Sequence, residues 1–250
     1  MSNLAFIHQH AEFEDAFMTR FASLREMYEA SLRSDFSGIG VAKERYDLRQ
    51  FSDELEAIAG FIDDDTFDKV RVIAYDPSKP HSIAESLDAH PLHTDASFAG
   101  HQLERFMLHF KVIDHHHGGV STFFPVQWIL DAIPDHHRQA LESAHVVYSR
   151  LGDAGIVKAF RGPILRSKAN GDFIFRWRYD DKVRPMVVDA HGNDAEAAIQ
   201  WVKDFLDSTK PIYYSARQDE TVLVDNCRFL HGRTALSPGT RRVAWRAWTR

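Results

Sequence analysis

Apolar residues recur at helical spacing over residues 12–33, at Phe13, Phe17, Phe21, Leu24 and Met27, and this spacing predicts an amphipathic helix. A second helix is expected over residues 53–62, with Ser52 as its cap. Together they read as a cover packed on a sheet. The pattern then changes to short runs bounded by turn residues, and strands are expected at 70–75, 92–98, 105–113 and 120–124. Helical spacing returns over 126–130 and 135–145, each beside a Pro or Asp start signal. Strand-like segments follow at 146–149 and 173–178, then a helix at 194–206, then two last strands at 221–230 and 241–248. Helices interrupt the strands here rather than alternate with them. That order predicts a mainly β fold with helical additions, a two-sheet jelly roll of the double-stranded β-helix kind.

The 250 residues, 44% hydrophobic and 26% charged, fit a single domain over 1–250. Within it, 1–65 form the N-terminal helical cover and 70–250 the jelly-roll core, with a helical insertion over about 126–210. No apolar run is long enough to span a bilayer, so no membrane partner is expected. Residues 1–10 lack a basic segment followed by an apolar stretch, and the single cysteine, Cys227, permits neither an internal disulfide nor a thiolate cluster. Both features point to a cytoplasmic location. A net charge of −6 argues against a nucleic-acid partner, because phosphate binding draws on a positive surface. The C-terminal stretch departs from that average: Arg228, Arg233, Arg241, Arg242, Arg246 and Arg250 follow Asp225 with no further acid. This local excess marks an anion site.

Two histidines and one carboxylate on one face of a metal leave positions open for oxygen and substrate, the arrangement of non-heme iron(II) oxygenases. His93-Thr94-Asp95 supplies the first pair, and on a strand its alternate side chains would share a face. With 15 histidines and 36 acids, chance His-x-acid pairs are expected, and His10-Ala11-Glu12 is one. His10 precedes a predicted helix, whereas His93 lies on an expected strand with Gly118-Gly119-Val120-Ser121 downstream. The third ligand should return on a distant strand. His231 fits, following a turn at Asp225-Asn226.

These motifs resemble the taurine dioxygenase-like (TauD/TfdA) family of iron(II)- and 2-oxoglutarate-dependent dioxygenases. That family's pattern is His-x-Asp, a Thr or Ser some twenty-five residues on, a distant His, and an Arg ten to fourteen beyond it. Here Ser121 lies 26 positions after Asp95 and Arg242 lies 11 after His231. The resemblance runs from about residue 92 to the C-terminus, and Asp225-Asn-x-Arg-x-Leu-His-Gly-Arg233 is its most specific part. Residues 161–179 also resemble the carnitine-type members. The family usually has Gly-Gly-Asp/Glu-Thr where this chain has Gly118-Gly119-Val120-Ser121, so Ser121 and Thr122 both stand as co-substrate contacts.

The resemblance implies a metal held by His93, Asp95 and His231, with Fe(II), 2-oxoglutarate and O2 as the reactants besides the substrate. Arg242 would hold the far carboxylate of 2-oxoglutarate, since guanidinium matches a carboxylate with two parallel charge-assisted hydrogen bonds. Alternation along the last strand puts Arg246 on the face of Arg242, and in taurine dioxygenase the arginine at this spacing binds the substrate's anionic group. The expected reaction is therefore hydroxylation, desaturation or cyclisation at an unactivated C–H bond of a small acidic or zwitterionic metabolite, such as an amino-acid derivative. Succinate and CO2 would be the co-products. Related halogenases have Ala or Gly at the position of Asp95, which disfavours halogenation here. Two further readings stay open: a hydroxylase of a protein- or carrier-bound substrate, and a non-catalytic sensor of 2-oxoglutarate or metal.

Other features are weaker. His115, His116 and His117 read as a solvated turn, His136-His137 as an exposed helix start and Cys227 as a small buried residue. Arg176, Arg178 and Arg184 line either a substrate mouth or the surface.

Overall fold

The structure is a computed structural model that describes residues 17–61, 69–78, 83–100, 103–114, 118–152, 155–168, 172–181, 183–190 and 194–249. It opens with strand β1 (Met18–Phe21), then helix α1 (Leu24–Ser31), strand β2 (Ile39–Lys43) and helix α2 (Leu48–Ile58). The first expected helix is thus split. The hydroxyl of Ser23 accepts from the Glu26 amide and the Glu26 carboxylate accepts from the Ala22 amide, so α1 starts afresh at Leu24. Met18–Phe21 are drawn into a parallel pairing with β2, and residues 12–16 of the expected helix lie outside the described residues. Likewise α2 begins five residues ahead of its predicted start, because Asp47 and Gln50 form a capping box and Ser52 lies inside the helix.

Strands β3 (Val70–Ala74), β4 (His90–His93), β5 (Arg105–Val112) and β6 (Ser121–Pro125) follow, with a short 3-10 turn at Ile83–Glu85. Helices α3 (Val126–Ala132) and α4 (Asp135–Ser143) fall where the spacing placed them. Next come β7 (His145–Gly152), β8 (Gly155–Gly162), β9 (Leu165–Ser167), β10 (Phe173–Phe175), β11 (Met186–Asp189) and α5 (Ala195–Ser208). The segment expected as a helical insertion is therefore mixed. Several of its strands are three or four residues long, too short for a periodicity of two to stand out. The chain closes with β12 (Ile212–Tyr214), β13 (Glu220–Asp225), β14 (Phe229–Arg233) and β15 (Val243–Thr249).

Six strands pair in the order β1-β2-β13-β5-β15-β3 and four in the order β12-β6-β14-β4. The run expected as one strand over 221–230 is two, and the turn between them carries the chain from the six-stranded sheet to the four-stranded one. Alternation along the large sheet divides its side chains into two cores. Ile39, Val41, Phe106, Phe110, Val222, Val224, Ala244 and Trp248 join the interior shared with the four-stranded sheet. Ala42, Met107, Leu223, Trp245 and Ala247 point the other way, onto Leu24, Met27 and Tyr28 of α1 and Phe51 and Leu55 of α2. At about 25 cal/mol per Å² of apolar surface, covering that outer face is what keeps the two short helices folded. The architecture is the jelly roll with helical additions that the pattern predicts. Among the described residues, no helix is long and apolar enough to cross a membrane.

Candidate metal and co-substrate site

His93 ends β4, and His231 lies opposite it on β14. Facing residues of an antiparallel pair share a side, so both imidazoles enter the space between the sheets. The His231 ring there lies 4.1 Å from that of Phe106 on the large sheet. His93 Nδ1 donates to the Pro91 carbonyl at 2.9 Å. This bond fixes the tautomer and leaves Nε2 with its lone pair free, as a metal ligand requires. Among the described residues that Nε2, which is buried, has no hydrogen-bond partner, and neither has His231 Nδ1. Burial, reinforced by His93, holds the pKa of His231 well below the usual histidine range, so its ring is neutral and able to ligate.

Asp95 is not on the strand with His93, as alternation had implied; β4 ends at His93 and Asp95 opens a turn. Backbone anchors replace the missing ladder. The Asp95 amide donates to Asn226 Oδ1 at 2.8 Å, while Asn226 Nδ2 donates to the carbonyls of Asp95 at 3.1 Å and Leu103 at 2.9 Å. The turn thereby brings Asp95 Oδ1 to 3.5 Å from His93 Nε2 and 3.9 Å from His231 Nε2. One ligand atom from each of the three residues falls within 4.8 Å of the others. From the large sheet, Arg246 Nη1 donates to both carboxylate oxygens, at 3.2 and 3.3 Å, and Trp248 Nε1 donates to Oδ2 at 2.8 Å. Burial works against ionisation of Asp95, but Arg246 first, and then the neighbouring imidazoles of His93 and His231, outweigh it and hold its pKa well below the ordinary carboxylate range. The three groups are thus two imidazoles and a carboxylate, buried and convergent, a donor set that suits iron(II).

Arg242 sits just ahead of β15, buried, with its guanidinium 5.4 Å from the centroid of the Phe110 ring on the inner face. Among the described residues no acidic side chain forms an ion pair with it. Burial and nearby Arg233 lower its pKa to about 10, with Asp114 opposing, so it remains charged at neutral pH. A buried cation with no ion-pair partner among the described residues is costly, and an anion beside it would offset that cost. Its stem lies along Gly119, where a Cβ would meet Arg242 Cδ at 3.0 Å and where φ is +68°. Both observations explain the glycine.

The register also separates the two candidate hydroxyls. Phe123 faces His231 and Ser121 faces Arg233, whereas Thr122 faces Gly232. Ser121 is therefore on the metal side of the sheet and Thr122 on the other, where its Oγ1 would lie 2.8 Å from a Cβ at Gly232.

A sequence profile described as "Taurine catabolism dioxygenase TauD, TfdA family" matches residues 12–248. The chain belongs to the TauD/TfdA family. Membership carries the enzyme class with it, an oxidoreductase of the iron(II)- and 2-oxoglutarate-dependent dioxygenases. No curated protein sequence matches the chain. Solved structures of the same fold include asparagine oxygenase in complex with Fe(II), 2S,3S-3-hydroxyasparagine and succinate. It shares 17% identity over 90% of this chain and 78% of its own, with a TM-score of 0.68. The non-heme iron oxygenase OrfP, in complex with Fe and alpha-ketoglutaric acid, shares 18% over 90% and 77%, with a TM-score of 0.63. PvcB from Pseudomonas aeruginosa shares 14% over 93% and 84%, with a TM-score of 0.62.

In this TauD/TfdA chain the remaining candidates fall out differently. Arg178 is half-buried and pairs with Asp180 at 2.8 Å, and Arg184 is largely exposed, its Nε donating to the Asp180 carbonyl. Arg176 is buried and turned onto backbone carbonyls beside Asp95, not onto a substrate mouth or the surface. Cys227 is buried, His136 is exposed at the start of α4, and His115, His116 and His117 lie outside the described residues. The sequence reading missed Trp248 and Asn226 as partners of Asp95. Trp248 shares a strand face with Arg246, and its indole N–H needs an acceptor when buried, which was the available signal. His90 was also missed; its ring stacks on His93 at 3.9 Å.

Proposed function

We propose that this TauD/TfdA enzyme oxidises an unactivated C–H bond of a small acidic or zwitterionic metabolite, an amino acid or a derivative of one. Iron(II) would be held by His93, Asp95 and His231, and 2-oxoglutarate by Arg242 with help from Ser121. The observation that carries this reading is the pairing of two features in one interior: a buried His-Asp-His cluster with an unpartnered His93 Nε2, and a buried arginine with no acidic partner among the described residues. Iron(II) with 2-oxoglutarate and O2 would supply the oxidant that removes the hydrogen atom, with succinate and CO2 as co-products.

The protein's own part is to position and exclude. The Pro91 carbonyl keeps His93 in the ligating tautomer, and the Asn226 amide holds Asp95 where both imidazoles can share an ion with it. Arg242 provides a fixed cation in a dry setting, where a bidentate carboxylate pair is strong. Arg246 points at the same centre and carries a charge that a substrate carboxylate would satisfy once a metal draws on Asp95. Similar folds whose structures hold hydroxylated asparagine or arginine support a substrate of this size and polarity.

The test is anaerobic addition of iron(II) and 2-oxoglutarate to the purified protein, recording the weak visible charge-transfer band of the chelate. The band is expected in the wild type, absent in His93→Ala, and in Arg242→Ala present only at much higher 2-oxoglutarate. Folded, iron-loaded wild type without a band refutes the co-substrate assignment and leaves a bare metal-binding barrel.

A further inference from the structure

Asp95 is the one member of the cluster that no strand carries. It opens a turn in which Ala96 has φ of +58°, a left-handed conformation that a non-glycine residue keeps only when its surroundings impose it. The carbonyls of that turn converge on one side chain. Arg176 Nη1 donates to Ala96 O at 3.2 Å, Ser97 O at 3.4 Å and Ala99 O at 3.0 Å. The guanidinium is buried and lies 3.9 Å over the Phe160 ring, so its direction is set from both sides. Its backbone is equally fixed, the Arg176 amide donating to Ile164 O and the Tyr148 hydroxyl to Arg176 O. The next residue ties down the front of the turn: Trp177 N donates to Thr94 Oγ1, and Thr94 N donates to Trp177 O.

We propose that Arg176 is a positioning residue for the metal carboxylate, holding the 95–99 turn in the shape that presents Asp95 to His93 and His231. This rests on the metal reading above. Converging carbonyl oxygens repel one another, and buried they have no water to turn to, so a cation among them is what makes the turn stable as drawn. All three bonds leave from Nη1, and what aims that nitrogen is the flat guanidinium stacked on Phe160, a contact that the point charge of a lysine ammonium would hold less firmly. Removing it lets the turn relax and Asp95 drift from the other two ligands.

Anaerobic calorimetric titration of iron(II) into wild type, Arg176→Met, Arg176→Lys and Leu55→Ala tests this, with a melting temperature recorded for each. Leu55 is buried in the outer core between α2 and the large sheet, on the face away from the 95–99 turn, so Leu55→Ala controls for lost stability. Arg176→Met is expected to lose roughly 10- to 100-fold in iron affinity, the range for residues that orient metal ligands, with Arg176→Lys in between. Leu55→Ala should melt lower, as a buried leucine truncated to alanine does, yet keep its iron affinity within about twofold. The proposal is overturned if Arg176→Met binds iron like the wild type, or if Leu55→Ala loses iron affinity in step with its stability. Should Arg176→Met not fold, Arg176→Lys decides: weaker iron binding than Leu55→Ala supports the role, and equal binding overturns it. A wild type that takes up no iron(II) refutes the metal reading itself, and this role falls with it.

Discussion

Gly119 allows the proposed seat of the co-substrate to be disturbed without altering Arg242. A Cβ there would lie 2.6 Å from Leu236 Cδ2, 3.0 Å from Arg242 Cδ and 3.3 Å from Arg242 Nε. The leucine methyl is the end of a flexible side chain and can swing aside. The arginine stem is buried and has to move by a few tenths of an ångström. Alanine at φ of +68° costs roughly 1 kcal/mol for the left-handed conformation, and relieving the overlap about 1 kcal/mol more. Gly119→Ala should therefore lose about 2 kcal/mol, or roughly 4–8 °C in melting temperature for a domain of this size. Gly60 separates the two contributions. Its φ is +64° and an added Cβ meets nothing within 4 Å, so Gly60→Ala carries the conformational cost alone. Displacing the guanidinium weakens a pair of charge-assisted hydrogen bonds, and a loss of about 1.4 kcal/mol raises the Kd for 2-oxoglutarate roughly tenfold. Iron affinity should not change, because Gly119 touches none of the three ligands. The assay is anaerobic titration of the iron-loaded variants with 2-oxoglutarate, followed by the visible band. If Gly119→Ala and Gly60→Ala lose equal stability and bind 2-oxoglutarate equally, Arg242 is not seated on Gly119 in the way described.

Two other perturbations follow from the same geometry. Ser121→Ala is expected to weaken 2-oxoglutarate binding by a few fold, about 1 kcal/mol for one hydrogen bond. Thr122→Val, on the far side of the sheet, should leave it unchanged, and the reverse order in the titration would show that the register argument picks the wrong hydroxyl. His109 is fully buried, its ring packed against Phe51 and Trp245, and its Nδ1 is 2.9 Å from the Thr221 hydroxyl. Burial lowers its pKa from 6.5 to about 4, with Asp219 opposing. Between those values the unfolded chain binds the extra proton, so stability rises with pH across the window and is lost as pH falls from 6.5 towards 4. The full shift amounts to about 3 kcal/mol. Urea unfolding at pH 7 and pH 4 should show the stability difference between wild type and His109→Phe changing by up to that amount, and a pH-independent difference refutes the assignment.

Much of this protein is legible in its sequence because local chemistry decides it. The period of apolar residues places α3, α4, α5 and β5 nearly where they stand, since a face that must be buried imposes its own spacing. The residue types at 93, 95, 231 and 242 suggest the proposed metal and anion sites, because few side chains can ligate iron or grip a carboxylate. Other features depend on partners far along the chain. Met18–Phe21 fall within a stretch of helical spacing, yet pairing with β2 makes them a strand. Asp95 keeps its place by hydrogen bonds to Asn226, 131 positions away, and not by the strand alternation that its spacing from His93 had implied. Arg176, an arginine among many in the sequence, acquires a direction only when the 95–99 turn folds against it. Ser121 and Thr122 are equivalent until the register of β6 on β14 turns one to the face of His231 and the other away. Ligand identity is a property of side-chain chemistry and so is written locally; ligand position is a property of backbone held by distant groups, and only the closed sheets supply it.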